Sequence, residues 1–145
     1  MASPSDIWSA CDYAPTAARL RPVSTLVATE LSRRTPSPAT VVDIGSGHGE
    51  GAAELLSRGY SVTAIEPTTR IRTIGQRLAP GATWLGTQGE ATGLEDSGYD
   101  ALTSTFGSMF CDPVAGPEEW ARILRPGGTL VMATWNLEGF LATMT

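Results

Sequence analysis

The apolar positions of this chain follow two rhythms in turn. Between Thr16 and Arg34, Ala17, Leu20, Val23, Leu26, Val27 and Leu31 recur near the spacing that gathers side chains on one helical face. The Pro-rich stretch TPSPAT ends that pattern. Thr40-Val41-Val42-Asp43-Ile44 is a short β-branched run between proline and glycine, which predicts a buried strand. The same alternation then repeats. It predicts a helix from Glu50 to Arg58 with Gly59 as its stop, and a strand from Ser61 to Ile65. A helix from Thr68 or Thr69 to Leu78 follows, ended by Pro80-Gly81, and then a short strand Thr83-Trp84-Leu85. Tyr99 to Phe106 reads as a fourth strand. Pro117 suits the first position of a further helix, with Glu118 and Glu119 in its positive first turn and Trp120, Ile123 and Leu124 facing inward. Arg125-Pro126-Gly127-Gly128 turns the chain into a fifth strand, Thr129 to Trp135.

Strands that alternate with helices imply βαβ units, a parallel sheet and helices on both of its faces. Right-handed crossovers restrict the winding further, to a Rossmann-like, doubly wound α/β fold.

Composition narrows the function. The chain has 145 residues, 41% hydrophobic and 17% charged, which fits one globular domain. Its net charge of −5 speaks against a nucleic-acid partner, since backbone binding needs a dense positive face. All ten basic residues are arginine, a bias that fits a GC-rich bacterial genome. Cys11 and Cys111 lack the spacing of metal ligands, so no metal is expected and both read as reduced thiols. No run reaches the roughly 20 apolar residues of a membrane span. The acidic N-terminus MASPSDIWSACD is no signal peptide, so the expected location is the cytoplasm, without a membrane partner.

The chemistry concentrates in Asp43-Ile44-Gly45-Ser46-Gly47-His48-Gly49, between the first strand and the next helix. Glycines there allow a sharp turn and close approach of backbone to ligand. A dinucleotide fingerprint would place its third glycine at position 50, which is Glu50. The glycines stand instead at 45, 47 and 49, and Asp43 precedes them, able to accept hydrogen bonds from the loop amides. This arrangement favours a nucleoside with a zwitterionic tail over a pyrophosphate, and so speaks against a nicotinamide dehydrogenase.

VVDIGSGHGE resembles the glycine-rich loop of class I S-adenosylmethionine-dependent methyltransferases, especially the ubiquinone/menaquinone-biosynthesis type. SVTAIEP, GEATGL, STFGSMFCDP and LRPGGTLVMATW resemble the family's later segments in order and spacing. The resemblance implies a sheet of about five strands in the order 3-2-1-4-5. It implies S-adenosylmethionine as cofactor, S-adenosylhomocysteine as product and a small-molecule acceptor. Carried over residue by residue, it assigns the loop residues Asp43, Gly45, Ser46, Gly47 and Gly49 to the cofactor, Glu66 to its ribose hydroxyls, and Pro67 to stiffening that turn. Glu90, where the family carries Asp, and the Ala91 amide would meet the adenine. Thr105 and Phe106, with Gly107 and Met109, would lie beside the methionine part. Trp8 and Tyr13 resemble a covering segment, with the Tyr13 phenol able to bond the cofactor carboxylate. His48 replaces the family's usual small residue; a tolerated loop substitution is the plain reading, and a general base the alternative. Trp84, Trp120 and Trp135 read as core or interface aromatics.

Residues 1–39 are expected to form a helical cover and linker, 40–135 the nucleotide-binding core, and 136–145 the start of a missing or shortened C-terminal part. The chain thus reads as a methyltransferase domain cut short after its fifth strand. That strand would then be an uncovered edge, which predicts a homodimer or heteromer through strand five and the C-terminal tail. The principal functional expectation is methyl transfer to a small molecule with no catalytic residue assigned. Its competitor is a non-catalytic S-adenosylmethionine-binding subunit or remnant acting with a partner chain.

Overall fold

A computed structural model describes residues 12–136 together with Trp8 and Ala10. Cys11 and the tail 137–145, and with them the expectations placed on both, lie outside the described residues. In chain order the elements are α1 (Ala14–Arg34), β1 (Thr40–Ile44), α2 (Glu50–Ser57), β2 (Ser61–Ile65), α3 (Thr69–Leu78), β3 (Thr83–Leu85) and β4 (Tyr99–Thr105). A 3-10 turn (Ser108–Phe110), α4 (Ala115–Ile123) and β5 (Leu124–Ala133) follow. The strands form one five-stranded sheet in the order β3-β2-β1-β4-β5, every pair parallel. This is the Rossmann-like winding expected from the alternating pattern.

Strand parity divides the core into two layers. Val41, Val62, Ala64 and Ala101 face Ala28 and Leu31 of α1 and Ala52 and Leu55 of α2. Val42, Ile44, Ile65 and Leu102 face the other way, onto Trp120 and Ile123 of α4. Side chains alternate along a strand, so each strand feeds both layers and must be apolar on both faces. Asp43 interrupts β1 on the α1–α2 side, opposite its in-register neighbour Thr103 on β4.

Local signals explain most element ends. Gly59 (φ +88°) closes α2, with its amide on Leu56 O and the Tyr60 amide on Leu55 O, the paired bonds of a Schellman stop. Three expectations need correction. In α1 the buried stripe is Ala17, Ser24, Val27, Ala28 and Leu31, while Leu26 is 67% exposed. A residue next to Val27 is rotated by about 100° and faces solvent however apolar it is. Pro117 is the third residue of α4, not the first. Asp112 Oδ1 accepts the Val114 and Ala115 amides and starts the helix earlier, and proline fits because third-position amides lack an intrahelical acceptor. Finally, β5 begins at Leu124, paired with Tyr99, and the expected turn Arg125–Gly128 is an irregularity inside the strand before Thr129 pairs with Ala101.

Candidate active site

The glycine loop between β1 and α2 takes its shape from three left-handed residues: Gly45 (φ +66°), Gly47 (φ +56°) and Gly49 (φ +92°). L-residues with a Cβ reach that region only at a cost, so the alternate glycines are the loop's conformation written in sequence. A Cβ on Gly45 would sit 2.6 Å from Gly107 Cα, so the loops after β1 and β4 touch backbone to backbone. Gly49 is pressed in the same way against Gly75 of α3, whose carbonyl oxygen would lie 3.0 Å from a Cβ.

Two carboxylates hold this loop from below and from the side. Asp43 is buried, and it accepts the hydroxyls of Ser46 (2.5 Å) and Thr103 (2.7 Å). The loop amides expected to be its donors point elsewhere: Ser46 N donates to Ile65 O, and Gly47 N to Glu66. Asp43 therefore fixes the loop through side chains, because its own side chain lies on the sheet face that Thr103 shares. Burial raises the Asp43 pKa to about 6, the two hydroxyl bonds oppose that rise, and nearby Glu66 adds to it. Glu66, at the end of β2, accepts Gly47 N on Oε2 (3.1 Å) and Thr68 N on Oε1 (2.9 Å). It joins the turn after β2 to the loop after β1.

Above these groups lies a cavity of about 540 Å³ at the carboxyl ends of the strands. Ligands bind in that place in open α/β sheets, and the volume is within the range of small-molecule sites. Of the residues singled out in the sequence, Tyr13, Asp43, Gly45, Ser46, Gly47, Glu66, Pro67, Glu90, Thr105 and Phe106 line it, as do Trp8, His48 and Gly107. Gly49 and Ala91 do not line it. Gly49 is turned toward α3, and the Ala91 amide donates to Gln88 O at 3.1 Å. Met109 is exposed and also lies outside the lining.

Aromatic rings frame the opening. Trp8 meets both Tyr13 and Phe110 edge to face at 5.1 Å, and Tyr13 lies 5.8 Å from the His48 ring. Burial, with Glu50 nearby, raises the Tyr13 pKa, which keeps its phenol protonated and able to donate. Phe106, itself at φ +63°, stacks on Trp135 at 4.3 Å. Trp120 is a core residue as expected, and half-buried Trp84 packs against Gly75. Trp135 instead lines the cavity, as its position past the carboxyl end of β5 could have signalled.

Other lining residues had no signal of their own. Leu20, Ser24 and Ile71 reach the cavity because helices α1 and α3 pass beside it. Gln88, Gly89 and Cys111 are placed by tertiary contacts. Trp120 Nε1 donates to Gly89 O at 2.8 Å, and Glu119 Oε1 accepts the Thr92 amide (2.9 Å) and hydroxyl (2.5 Å). Helix α4 thus holds the segment that carries Glu90. Burial first, and then Glu90, push the Cys111 thiol up to about 12, so it stays protonated.

A family model described as a methyltransferase domain matches residues 42–132, from the middle of β1 to the end of β5. The chain belongs to the class I S-adenosylmethionine-dependent methyltransferase family. A demethylmenaquinone methyltransferase of Beutenbergia cavernae is 35% identical to this domain over 99 residues, covering 66% of the chain and 40% of the relative. A Mycobacterium tuberculosis protein described as an uncharacterized methyltransferase is 32% identical over 96 residues, covering 66% and 39%. The methyltransferase domain described here therefore spans about 40% of the length of these relatives. Solved structures agree on the fold. An S-adenosylmethionine-dependent methyltransferase of Thermotoga maritima superposes with a TM-score of 0.70 at 24% identity, covering 91% of this chain and 63% of that one. A Haloferax volcanii methyltransferase, solved in complex with the activator Trm112, gives 0.74 at 23% identity, covering 92% and 61%.

Proposed function

We propose that this domain binds S-adenosylmethionine in the cavity at the carboxyl ends of its strands and positions its methyl group for transfer to a small-molecule acceptor in the cytoplasm. The observation that carries the reading is the Glu66 carboxylate. It is buried, bonded to the Gly47 amide, and lines the cavity beside bare glycine backbone. At Gly47 a Cβ would meet nothing closer than Gly45 O at 3.9 Å, so the loop presents main chain to that space. The residues present fit the cofactor in size and in donor and acceptor chemistry.

When bound, S-adenosylmethionine supplies an electrophilic methyl on a good leaving group. The domain's own residues hold and orient. A carboxylate offers about four lone-pair directions, and Glu66 uses two for Gly47 and Thr68, which leaves two for a pair of ribose hydroxyls. The Gly45–Gly47 backbone faces the amino-acid end, where the protonated Tyr13 phenol can donate to a carboxylate. Glu90 and the adjacent Gln88–Gly89 backbone take the adenine edge. The Ala91 amide, already bonded to Gln88 O, makes at most a shared contact there. Thr105 and Phe106 line the path of the methionine chain. Trp8, Tyr13 and Phe110 stand together at the opening, where their rings can shield a bound cofactor from part of the solvent. Alignment of nucleophile, methyl carbon and sulfur can supply about 7–11 kcal/mol of the barrier reduction, and no side chain is assigned as acid or base.

Titration calorimetry tests this reading. Micromolar binding of S-adenosylmethionine and S-adenosylhomocysteine is expected, weakened at least about tenfold in Glu66→Gln. No binding of either molecule, or unchanged affinity in the variant, overturns it.

One observation favours a second reading, in which the domain binds the cofactor but acts only with a partner. Among the described residues β5 is a sheet edge, with Leu130 43% and Met132 37% exposed. A partner chain or a second copy pairing there would cover it. A stable monomer by sedimentation at high micromolar concentration, together with turnover by the chain alone, removes this reading.

A further inference from the structure

Pairing of β2 with both of its neighbours ends at Ile65, so the next residue leaves the sheet with a carbonyl that no strand serves. That residue is Glu66, and it is buried, where a carbonyl without a donor is costly. Arg72 of α3 supplies the donor. Its Nη1 donates to Glu66 O at 2.7 Å and to Pro67 O at 3.2 Å, and its Nη2 to Thr69 Oγ1 at 3.3 Å. A charged donor makes a stronger bond than a neutral one, and here it ties two successive carbonyls. Glu66 and Pro67 line the cavity, whereas Arg72 does not.

The guanidinium lies against Gly86, the residue after β3. A Cβ on Gly86 would stand 2.7 Å from Nη1, 2.8 Å from Cζ and 3.0 Å from Nη2. All three are tip atoms of one flexible side chain, and the Gly86 backbone is outside the left-handed region. Glycine at this position therefore serves space rather than backbone freedom: it leaves room for Arg72. The neighbouring residue Leu85 accepts the Glu66 amide at 3.1 Å. Glu66 is thus tied at its amide, at its carbonyl and, through Gly47 and Thr68, at its carboxylate. Loss of the carbonyl tie frees the peptide between Glu66 and Pro67 to rotate and redirects the carboxylate's remaining lone pairs.

We infer that Arg72 is a positioning residue for the cofactor's sugar, acting through the Glu66–Pro67 peptide, with Gly86 as its seat. The inference rests on the S-adenosylmethionine reading above and deepens it, since it names a residue outside the cavity that sets how well Glu66 meets the ribose.

The test is calorimetry on the whole chain with two probes, S-adenosylhomocysteine and its 2′,3′-dideoxy analogue. The ratio of their affinities reads what the sugar hydroxyls contribute. The parent protein is expected to favour the first probe by at least about tenfold. Arg72→Met keeps an unbranched stem but no donor, and should cut that preference to about threefold or less. Arg72→Lys, with one ammonium in place of the fork, should recover part of it. Gly86→Ala retains Arg72 but displaces its tip, and should reduce the preference as Arg72→Met does. The two substitutions together should do no more than either alone. Should Arg72→Met fail to fold, the Gly86→Ala ratio decides in the same way. An unchanged ratio with both probes equally weakened would mark Arg72 as a prop for the fold alone. That result, or additive effects of the two substitutions, overturns the inference while S-adenosylhomocysteine binding to the parent protein stands. Failure of the parent protein to bind S-adenosylhomocysteine overturns the underlying reading and this one with it.

Discussion

Glu66 accepts the amide of Gly47 at 3.1 Å, so the carboxylate that ends β2 is bonded to the loop that ends β1. The bond crosses between neighbouring strands at the place where ligands enter such sheets. Glu66→Gln keeps the shape but offers one acceptor oxygen to two backbone amides. The variant is expected to lose about 1–3 kcal/mol of stability, read by urea unfolding, besides its loss of nucleoside affinity. Unchanged stability would mean that the two amide bonds contribute nothing to the fold.

Gly107 and Gly127 separate crowding from conformational cost. A Cβ on Gly107 would lie 2.6 Å from Ile44 O and 2.7 Å from Gly45 Cα, backbone atoms that cannot swing aside. Gly107→Ala is expected to cost about 3 kcal/mol, at the upper end for overpacking, and to weaken S-adenosylhomocysteine binding by pushing the glycine loop outward. Gly127 stands at φ +77° with nothing within 4 Å, so Gly127→Ala should cost only the left-handed penalty of about 1–2 kcal/mol. Its ligand affinity should stay within about twofold of the parent's, since it lies at the opposite end of the sheet. Equal loss of affinity in the two variants would contradict the steric reading.

Asp43 gives stability a distinct pH dependence. Its pKa rises from 3.8 to about 6 on folding, chiefly through burial. The native state then holds a proton that the unfolded chain has released, so stability falls as pH rises from about 4 to about 6. The shift corresponds to about 3 kcal/mol at most. Asp43→Asn removes the titration. Unfolding free energies of the two proteins, compared from pH 4 to pH 7.5, should diverge through that window in favour of Asn and then run parallel. A constant difference across the window would refute the assignment.

Glu119 acts in the opposite sense. Arg122 first, with Thr92 adding, holds its pKa down at about 2 against an ordinary 4.5. Its contribution is complete above pH 4.5 and is lost as pH falls toward 2. Because the same carboxylate holds Thr92, Glu119→Ala should also loosen the segment that carries Glu90. Weaker S-adenosylhomocysteine binding, with faster amide hydrogen exchange at residues 89–94, is the expected outcome. Exchange unchanged there would show that Trp120 alone holds the segment.

Legibility followed the range of the interaction. The five strands could be read because β-branched runs stand between glycine and proline signals, and their order came from the family resemblance. The glycine loop was equally visible, since three positive-φ positions demand three glycines. Asp43 was found for the right reason, its place before the loop, but its partners were not. Thr103 lies sixty residues away, and only sheet pairing brings it opposite. Ser24 was missed in α1 because a small polar residue on a buried stripe resembles surface, whereas Leu26 resembles core and is not. Phe110, Gln88 and Cys111 reach the cavity through contacts that no local period encodes.

Strand β1 sends Val41 and Asp43 to one layer and Val42 and Ile44 to the other. A frame slip of one residue along this strand would drive the carboxylate into the packing beneath α4, away from the Ser46 and Thr103 hydroxyls that bond it, and lift a valine under the loop. The central strand therefore cannot be misthreaded without a heavy electrostatic penalty. Whatever sequence drift the outer strands tolerate, the alignment of β1 is policed by the very group that supports its glycine loop.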